Sequence, residues 1–217
     1  MLIQESIWIR DNLSLLDLNP SSVVLNFGSQ TMEYNKINSH LINNVIRPIS
    51  ERSILKALDL QIGEGIDFSG NLYDDVFFCK MKGFHFDCIL LCNVLEHVTD
   101  IEELCIRISG LLKKDGILLF TGPKDYPIHY DPIDNGFRPE VTQVQNLFKN
   151  FEIVKSEIIT DYSYKYYLLN NPMAFLMTII RTLVFFYKFK KWKNAVLPKF
   201  KWWNRDYKAT CVILKKM

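Results

Sequence analysis

The 217-residue chain is 48% hydrophobic, which is enough to bury one core, and we predict a single domain over residues 1–217. Its five cysteines are odd in number and show neither CxxC pairs nor Cys/His ligand spacing, so they indicate neither a disulfide framework nor a zinc site. The first 20 residues lack the continuous apolar core of a signal peptide, so we expect a cytoplasmic protein.

The net charge of +2 is unevenly distributed along the chain. Residues 162–208 carry ten Lys or Arg and one acid, a local charge of +9, so the rest of the chain sums to −7. The sequence therefore combines an acidic body with one basic segment.

Seven apolar runs bounded by turn residues predict strands. They cover residues 23–27, 54–60, 65–70, 86–93, 116–122, 151–159 and 209–216. Helix-like stretches lie between several of these runs, and this alternation predicts a mostly parallel sheet with right-handed crossovers. In such sheets ligands bind beyond the carboxyl ends of the strands, so the residues that end each run are the ones to examine.

The clearest helical pattern covers residues 101–114, where apolar residues recur at helical spacing. Thr99 or Asp100 is placed to cap this helix at its start. Acids occupy its first turn, and Lys113 and Lys114 would occupy its last, which complements the helix dipole at both ends.

Polar or glycine residues follow five consecutive predicted strands. They are Gly28 and Ser29, Asp59, Asn71, Asn93–His97, and Gly122–Asp125. Turn formation alone also favours such residues, but their joint position at one edge of a parallel sheet favours a binding site.

The stretch FDCILLCNVLEHVTDIEELCIRISGLLKKDGILLFTGP resembles the fourth strand, helix and fifth strand of the class I S-adenosylmethionine-dependent methyltransferases, with NVLEHV as its recognisable core. The resemblance is greatest to small methyltransferase-domain proteins found with bacterial surface-polysaccharide genes. It extends more loosely over residues 23–159, and residues 209–216 fit the family's antiparallel last strand. It implies an α/β, Rossmann-like seven-stranded sheet with helices on both faces, and transfer of a methyl group from S-adenosylmethionine.

The resemblance also implies which residues hold the cofactor. The turn at Gly28 and Ser29 would pass beneath its methionine part, where a side chain would collide with the ligand. Asp59 would accept hydrogen bonds from both ribose hydroxyls, and Asn71 would contact the adenine amino group. The complete predicted set is Gly28, Ser29, Asp59, Leu60, Asn71, Leu72, Asn93, Val94 and Leu95.

The opening turn departs from the family pattern. The family has an acid two residues before the first glycine and two further glycines after it, whereas Asn26, Ser29 and Gln30 occupy this region here. The following residues 32–44 predict only a weak helix, which would offer few aligned N–H groups to a ligand. Reduced cofactor affinity is therefore expected.

A polar loop, residues 123–140, follows the fifth predicted strand and contains four prolines before a helix predicted over 139–149. Such a stiffened loop suits a lid that binds a sugar or phosphosugar. We predict three catalytic residues, His129 as general base, Asp131 as the group that orients it, and His97, for which a purely structural role stays open. The predicted substrate-binding residues are Tyr130, Asp134, Asn135 and Arg138, with Arg138 holding an anion, and no metal constellation is evident.

Residues 160–208 form a basic, aromatic insertion where the family has a short link. Its apolar run at 173–187 is too short to span a bilayer. Peripheral contact of residues 173–193 with the inner face of a membrane is one interpretation, a helical lid is another, and nucleic-acid binding is the least favoured.

These observations predict methylation of a hydroxyl group on a sugar or glycan precursor, either a small molecule or linked to a lipid. The first alternative is a non-catalytic protein of the same fold that has lost cofactor binding, which the altered glycine turn would explain. An RNA methyltransferase is the third.

Overall fold

The computed structural model describes residues 1–129, 133–183, 186, 189, 192–193 and 197–217. Its strands are β1 (Val23–Phe27), β2 (Ile54–Asp59), β3 (Phe68–Ser69), β4 (Phe86–Cys92), β5 (Leu112–Asp125), β6 (Phe151–Ser163) and β7 (Asp206–Lys216). They form one sheet in the order β3-β2-β1-β4-β5-β7-β6. Strand β7 is antiparallel to both of its neighbours, and the other pairs are parallel. The predicted fold class is confirmed.

Helices cover both faces of this sheet. They are α1 (Ile3–Asp11), α2 (Met32–Ile37), α3 (Ser39–Leu41), α4 (Arg47–Ser50), α5 (Asp75–Lys82), α6 (Ile101–Leu111), α7 (Val141–Leu147), α8 (Tyr164–Leu169), α9 (Pro172–Leu183) and α10 (Leu197–Phe200). A π-helical segment, Ile42–Ile46, joins α3 to α4, and 3₁₀ turns lie at Leu13–Leu16 and Leu95–His97.

The central strands are buried on both faces, as their continuous apolar runs predict. Successive residues along a strand point to opposite faces of the sheet and pack against different layers of helices. Leu25 and Ile89 pack beneath α5, α6 and α7, whereas Val24 and Leu90 pack beneath α1 and the helical segment that ends in α4. Because the strands are packed on both faces, their carboxyl ends are held in fixed positions along one edge of the sheet.

The helix after β4 ends earlier than predicted. Asp100 caps α6 by accepting a hydrogen bond from the Glu103 N–H at 3.0 Å. The helix stops at Leu111, so Lys113 and Lys114 lie in β5 and not in a last helical turn. Lys113 instead forms an ion pair with Asp87 at 2.6 Å, because β5 starts beside β4.

The weak helix predicted after β1 is broken in the structure. Thr31 caps α2 through a long 3.4 Å bond, α2 ends after six residues, and the path continues through α3 and the π-helical segment. Few helical N–H groups are therefore aligned toward the end of β1.

The insertion between β6 and β7 is shorter than the predicted range of 160–208. The two strands stay paired as far as Ser163 and Asp206. Helix α9 within it is mostly apolar, and none of its residues is buried. The predicted basic residues Lys188, Lys190 and Lys191 lie outside the described residues. Over the ranges described, the structure has no helix with the length and apolarity needed to cross a bilayer.

Candidate active site

A cavity of about 270 Å³ opens at the carboxyl ends of β1, β4 and β5, the edge where open parallel sheets bind ligands. Its walls come mainly from the N-terminal segment, the strand ends and the loop after β5. The lining residues are Met1, Leu2, Asn26, Gly28, Ser29, Gln30, Tyr34, Leu41, Cys92, Asn93, Glu96, His97, Pro123, Tyr126, His129 and Ala209. Residues predicted for the cofactor and for catalysis therefore share one cavity.

The turn after β1 has the conformation that its glycine suggests. Gly28 has φ +72°, and a Cβ built there would lie 2.7 Å from Val94 Cγ2. Glycine is therefore required both by the backbone and by the close approach of the chain after β4. The N–H groups of Gly28 and Ser29 donate to Leu58 O at 2.9 and 3.2 Å, which joins the turn to β2.

Asp59, which ends β2, is a buried carboxylate that supports this turn. It accepts hydrogen bonds from the N–H groups of Gln30 at 2.9 Å and Gln61 at 3.0 Å, one on each oxygen. Because a carboxylate oxygen can accept two bonds, each oxygen retains capacity for a ligand hydroxyl. Asp59 itself does not line the cavity, but Gln30 does.

Three other predicted cofactor residues lie away from the cavity. Leu60 is 71% exposed, whereas Leu72 is buried in the core beneath α6. The Asn71 side chain accepts a hydrogen bond from the Tyr73 N–H at 3.0 Å, which forms a turn at the surface. The structure thus does not gather these three residues with the Gly28 turn.

The chain leaves β4 through a left-handed residue. Asn93 has φ +53°, and its N–H donates to Thr121 O at 2.9 Å. Its side-chain Nδ2 donates to Glu5 Oε1 at 2.6 Å. Val94 then contacts the Gly28 turn, and Leu95 is buried in the core, so this predicted trio positions the wall of the cavity.

Glu5 is a site residue that sequence analysis missed. Its fully buried carboxylate accepts hydrogen bonds from Asn93, from Thr121 Oγ1 at 2.5 Å and from the Leu2 N–H at 2.8 Å. It thereby joins α1 to the ends of β4 and β5. An acid in the first turn of a helix is the only signal that the sequence offered, and it indicates capping only.

The start of α1 is held by a second buried acid, Asp161 on β6. The N–H groups of Ile3 and Gln4 donate to its two oxygens at 3.2 and 3.4 Å, and Tyr167 donates its hydroxyl hydrogen to the same carboxylate. A carboxylate at a helix N-terminus is favourable because of the exposed N–H groups and the helix dipole. The N-terminal segment is consequently a fixed wall of the cavity.

Glu96, His97 and His129 form a cluster at the far side of the cavity, with one ligand-type atom from each within 4.8 Å of the other two. His97 Nδ1 donates to Ile133 O at 2.5 Å, which leaves Nε2 free, 3.8 Å from Glu96 Oε1. The two imidazole rings meet edge to face with centroids 5.1 Å apart.

Burial changes the proton affinity of this cluster. Desolvation raises the pKa of Glu96 to about 7, against the opposing effects of its own backbone N–H and of His97. Desolvation likewise lowers the pKa of His129, which is only partly offset by the Pro127 carbonyl and by Asp134. An uncharged His129 ring is thus favoured, as proton acceptance requires.

Among the described residues, the carboxylate that contacts the His129 ring is Asp134. Its Oδ2 lies 3.2 Å from His129 Nδ1 and accepts the His129 backbone N–H at 2.9 Å. Burial alone would raise the pKa of Asp134, but Arg138 and the N–H groups of His129 and Gly136 outweigh it and lower that pKa to about 2. Asp131 and Tyr130, predicted for this loop, lie outside the described residues.

Arg138 and Asn135 are engaged within the protein. Arg138 binds Asp134 with two nitrogens, at 3.1 and 2.7 Å. Asn135 Nδ2 donates to Leu95 O at 2.7 Å and to Val98 O at 2.9 Å. None of Asp134, Asn135 and Arg138 lines the cavity. In this arrangement they hold the loop so that His129 faces the cavity.

Comparison with known proteins shows what part of the chain is similar to a known domain family. Residues 74–120, which include β4, the NVLEHV turn and α6, match a family model described as a methyltransferase domain. A search of curated proteins found no match.

Solved structures with the same fold cover nearly the whole chain. A putative sarcosine dimethylglycine methyltransferase from Galdieria sulphuraria is 12% identical, with a TM-score of 0.61, over 99% of this chain and 85% of that one. Coclaurine N-methyltransferase, bound to N-methylheliamine and SAH, is 14% identical with a TM-score of 0.57, over 97% and 72%. The [4+2]-cyclase SpnF is 14% identical with a TM-score of 0.54, over 99% and 80%. The chain has the fold of these proteins, and its residues 74–120 are similar to a methyltransferase domain.

Proposed function

We propose that the protein is an S-adenosylmethionine-dependent methyltransferase that acts on a hydroxyl group of a sugar or glycan precursor. One observation carries this proposal. The Gly28 turn and the cluster of Glu96, His97 and His129 line the same cavity. A methyl donor bound beside the turn and a proton acceptor in the cluster could therefore both reach the same substrate hydroxyl.

The cofactor side of the cavity would be formed by the ends of β1 and β4, with Asp59 at the end of β2 behind Gln30. When bound, S-adenosylmethionine supplies a methyl group on a sulfonium, which already has a good leaving group. Gly28 itself presents no side chain to a ligand, and Val94 packs against its Cα. Asp59 fixes Gln30 and retains lone pairs for ribose hydroxyls, and Asn93 would contact the methionine part.

The acceptor side would align a hydroxyl and remove its proton. His129 Nδ1 lies near two acceptors, Asp134 Oδ2 and Pro127 O, so it carries the hydrogen and Nε2 has the lone pair. Nε2 can take the hydroxyl proton as the new oxygen–carbon bond forms. His97 is held in the same tautomer by Ile133 O.

A hydroxyl acceptor is favoured over an amine because the cavity contains such proton acceptors, and a neutral amine needs none before it attacks. The amide side chains of Asn26, Gln30 and Asn93 add donors and acceptors to the wall. This polar lining suits a ligand with several hydroxyls, such as a sugar. A lipid-linked sugar would present the same groups.

Calorimetry with S-adenosylhomocysteine tests the cofactor assignment. We expect saturable binding by the wild-type protein and an affinity reduced at least about tenfold for Asp59→Ala, since one lost charged hydrogen bond costs about 1.5–3 kcal/mol. Asp115→Ala, which removes an exposed acid near the amino end of β5 and outside the cavity lining, is the control. Equal affinity for Asp59→Ala and the control would refute the role of Asp59.

Transfer of a labelled methyl group to a panel of nucleotide sugars and lipid-linked glycans tests the acceptor class. We expect His129→Ala to reduce turnover at least a hundredfold while leaving the affinity for S-adenosylhomocysteine unchanged. Labelling of amines but of no hydroxyl compound would refute the proposed acceptor.

The alternative of a non-catalytic protein rests on the Gly28 turn. Its two N–H groups donate to Leu58 O and are not free for a ligand, and the altered glycine pattern precedes a broken helix. The cyclase among the structural neighbours illustrates that one fold serves different chemistries. Failure of S-adenosylhomocysteine to bind at millimolar concentration would favour this alternative.

For the insertion we propose peripheral contact with an anionic membrane. Met173, Leu176, Ile180 and Leu183 of α9 are exposed, and their spacing places them on one face of the helix. Such a surface suits the interface between lipid headgroups and acyl chains. Co-sedimentation with phosphatidylglycerol vesicles should decrease for Leu176→Glu, and equal sedimentation of this variant and the wild type would refute the contact.

A further inference from the structure

We infer that Glu96, His97 and His129 form a binding site for a divalent transition-metal cation such as Mn²⁺, Co²⁺ or Zn²⁺, at the acceptor end of the cavity. The inference rests on the proposed methyl transfer and differs from it in what removes the hydroxyl proton.

The donor set is the first support. One carboxylate and two imidazoles, with their candidate ligand atoms all within 4.8 Å of one another, match the mixed oxygen and nitrogen ligation of these cations. Mg²⁺ and Ca²⁺ prefer oxygen ligands, so they fit this set less well.

The orientation of both imidazoles is the second support. His97 Nδ1 donates to Ile133 O, and His129 Nδ1 lies 3.2 Å from Asp134 Oδ2. Metal-binding histidines commonly donate one ring N–H to a carbonyl or carboxylate in this way, which fixes the other nitrogen as the ligand. Here both Nε2 atoms are left for a cation.

Local charge is the third support. Glu5 and Glu96 are buried carboxylates, 0% and 2% exposed, at the ends of the same strands. Across the described ranges, neither forms an ion pair with a lysine or arginine, and Arg138 is already bound to Asp134. A bound cation would supply the positive partner that the Glu96 carboxylate lacks.

The ligand atoms must move closer to bind a cation. Glu96 Oε1 and His97 Nε2 are 3.8 Å apart, whereas tetrahedral ligands with bonds of about 2.1 Å are separated by about 3.4 Å. The other pairs of ligand atoms lie within 4.8 Å, so gaps of at most about 1.4 Å must close, which rotation of the side chains supplies. The coordination positions of the cation that no protein ligand fills would face the cavity, because all three residues line it.

A cation at this position would bind the oxygen of the acceptor. A hydroxyl coordinated to a divalent cation loses its proton more readily, so the proton can pass to solvent and His129 serves as a ligand and not as the base. A cation here would further favour a hydroxyl acceptor over an amine. Coordination makes a hydroxyl easier to deprotonate, whereas a neutral amine would donate to the cation the lone pair that it needs to attack the methyl group.

Titration of EDTA-treated full-length protein with Mn²⁺, followed by electron paramagnetic resonance without cofactor or acceptor, tests the site. We expect one Mn²⁺ per chain, with affinity reduced about tenfold or more by Glu96→Gln and by His129→Asn. His85→Asn is the matched control, because His85 is exposed with φ +49°, a conformation that asparagine tolerates.

The spectrum of the wild-type complex gives a second measurement that needs no variant. Coupling of Mn²⁺ to imidazole nitrogen is expected, and its absence would refute the site even if the variants unfold. Absence of saturable binding, or equal affinity for the two variants and the control, would also refute it.

The same samples separate this inference from the proposed function. Binding of S-adenosylhomocysteine in the presence of EDTA together with no Mn²⁺ site would overturn the cation and leave the methyltransferase proposal intact. Mn²⁺ binding through these residues without cofactor binding would support the cation and count against methyl transfer.

Discussion

Replacement of Gly28 by alanine should destabilise the protein by about 2–3 kcal/mol. The left-handed conformation at φ +72° costs a residue with a Cβ about 1–2 kcal/mol. The new Cβ would also lie 2.7 Å from Val94 Cγ2, about 1 Å closer than an ordinary carbon contact. Moving the valine off its preferred rotamer to relieve this contact adds about 1 kcal/mol.

Gly136→Ala is the matched control. Gly136 has φ +78°, and a Cβ there meets nothing within 4 Å, so this variant has the backbone cost without the overlap. Urea denaturation should therefore give a free energy of unfolding about 1 kcal/mol lower for Gly28→Ala than for Gly136→Ala. In the double variant Gly28→Ala/Val94→Ala the two effects should be less than additive, because the overlap is gone. Equal stability of the two single variants would refute the reasoning.

Three further substitutions test the supports of the site by urea denaturation. Glu5→Gln should cost about 2 kcal/mol, since an amide cannot accept all three hydrogen bonds and would face the Leu2 N–H with a donor; unchanged stability would show that these bonds are not needed. Asp134→Ala should cost about 3 kcal/mol, because it leaves Arg138 without its carboxylate, and a loss below about 1 kcal/mol would contradict a buried pair. Asp100→Ala should cost only about 1 kcal/mol, the usual value of a helix cap, and a larger loss would mean that Asp100 does more than cap α6.

The sequence predicted the sheet well because the informative signals are local. Strands β1 and β4 are continuous apolar runs that end in Gly28 and Asn93, and both ends agree with the structure within one residue. The start of β5 was predicted at Gly116 but lies at Leu112, because pairing with β4 extends the strand beyond its apolar run.

The contacts on the acceptor side could not be predicted from the sequence, because they join residues that are far apart in the chain. Glu5 binds Asn93 and Thr121, which are 88 and 116 positions away, and no local pattern indicates either contact. The loop offered several acids near His129, and only the fold determines that Asp134 contacts its ring. Spacing alone likewise gave no sign that Glu96 and His129 are neighbours.

The two halves of the cavity differ in how firmly the protein holds them, and this has a consequence for ligand binding. The acceptor half is fixed by the buried pair of Asp134 and Arg138, and Glu5 holds Asn93 between the two halves. The cofactor half is followed by a helix with a 3.4 Å cap at Thr31 that ends after six residues. The short helix offers the cofactor few aligned N–H groups, whereas the acceptor meets groups that the protein holds in place. Weak cofactor binding and selective acceptor binding are thus both expected from one cavity.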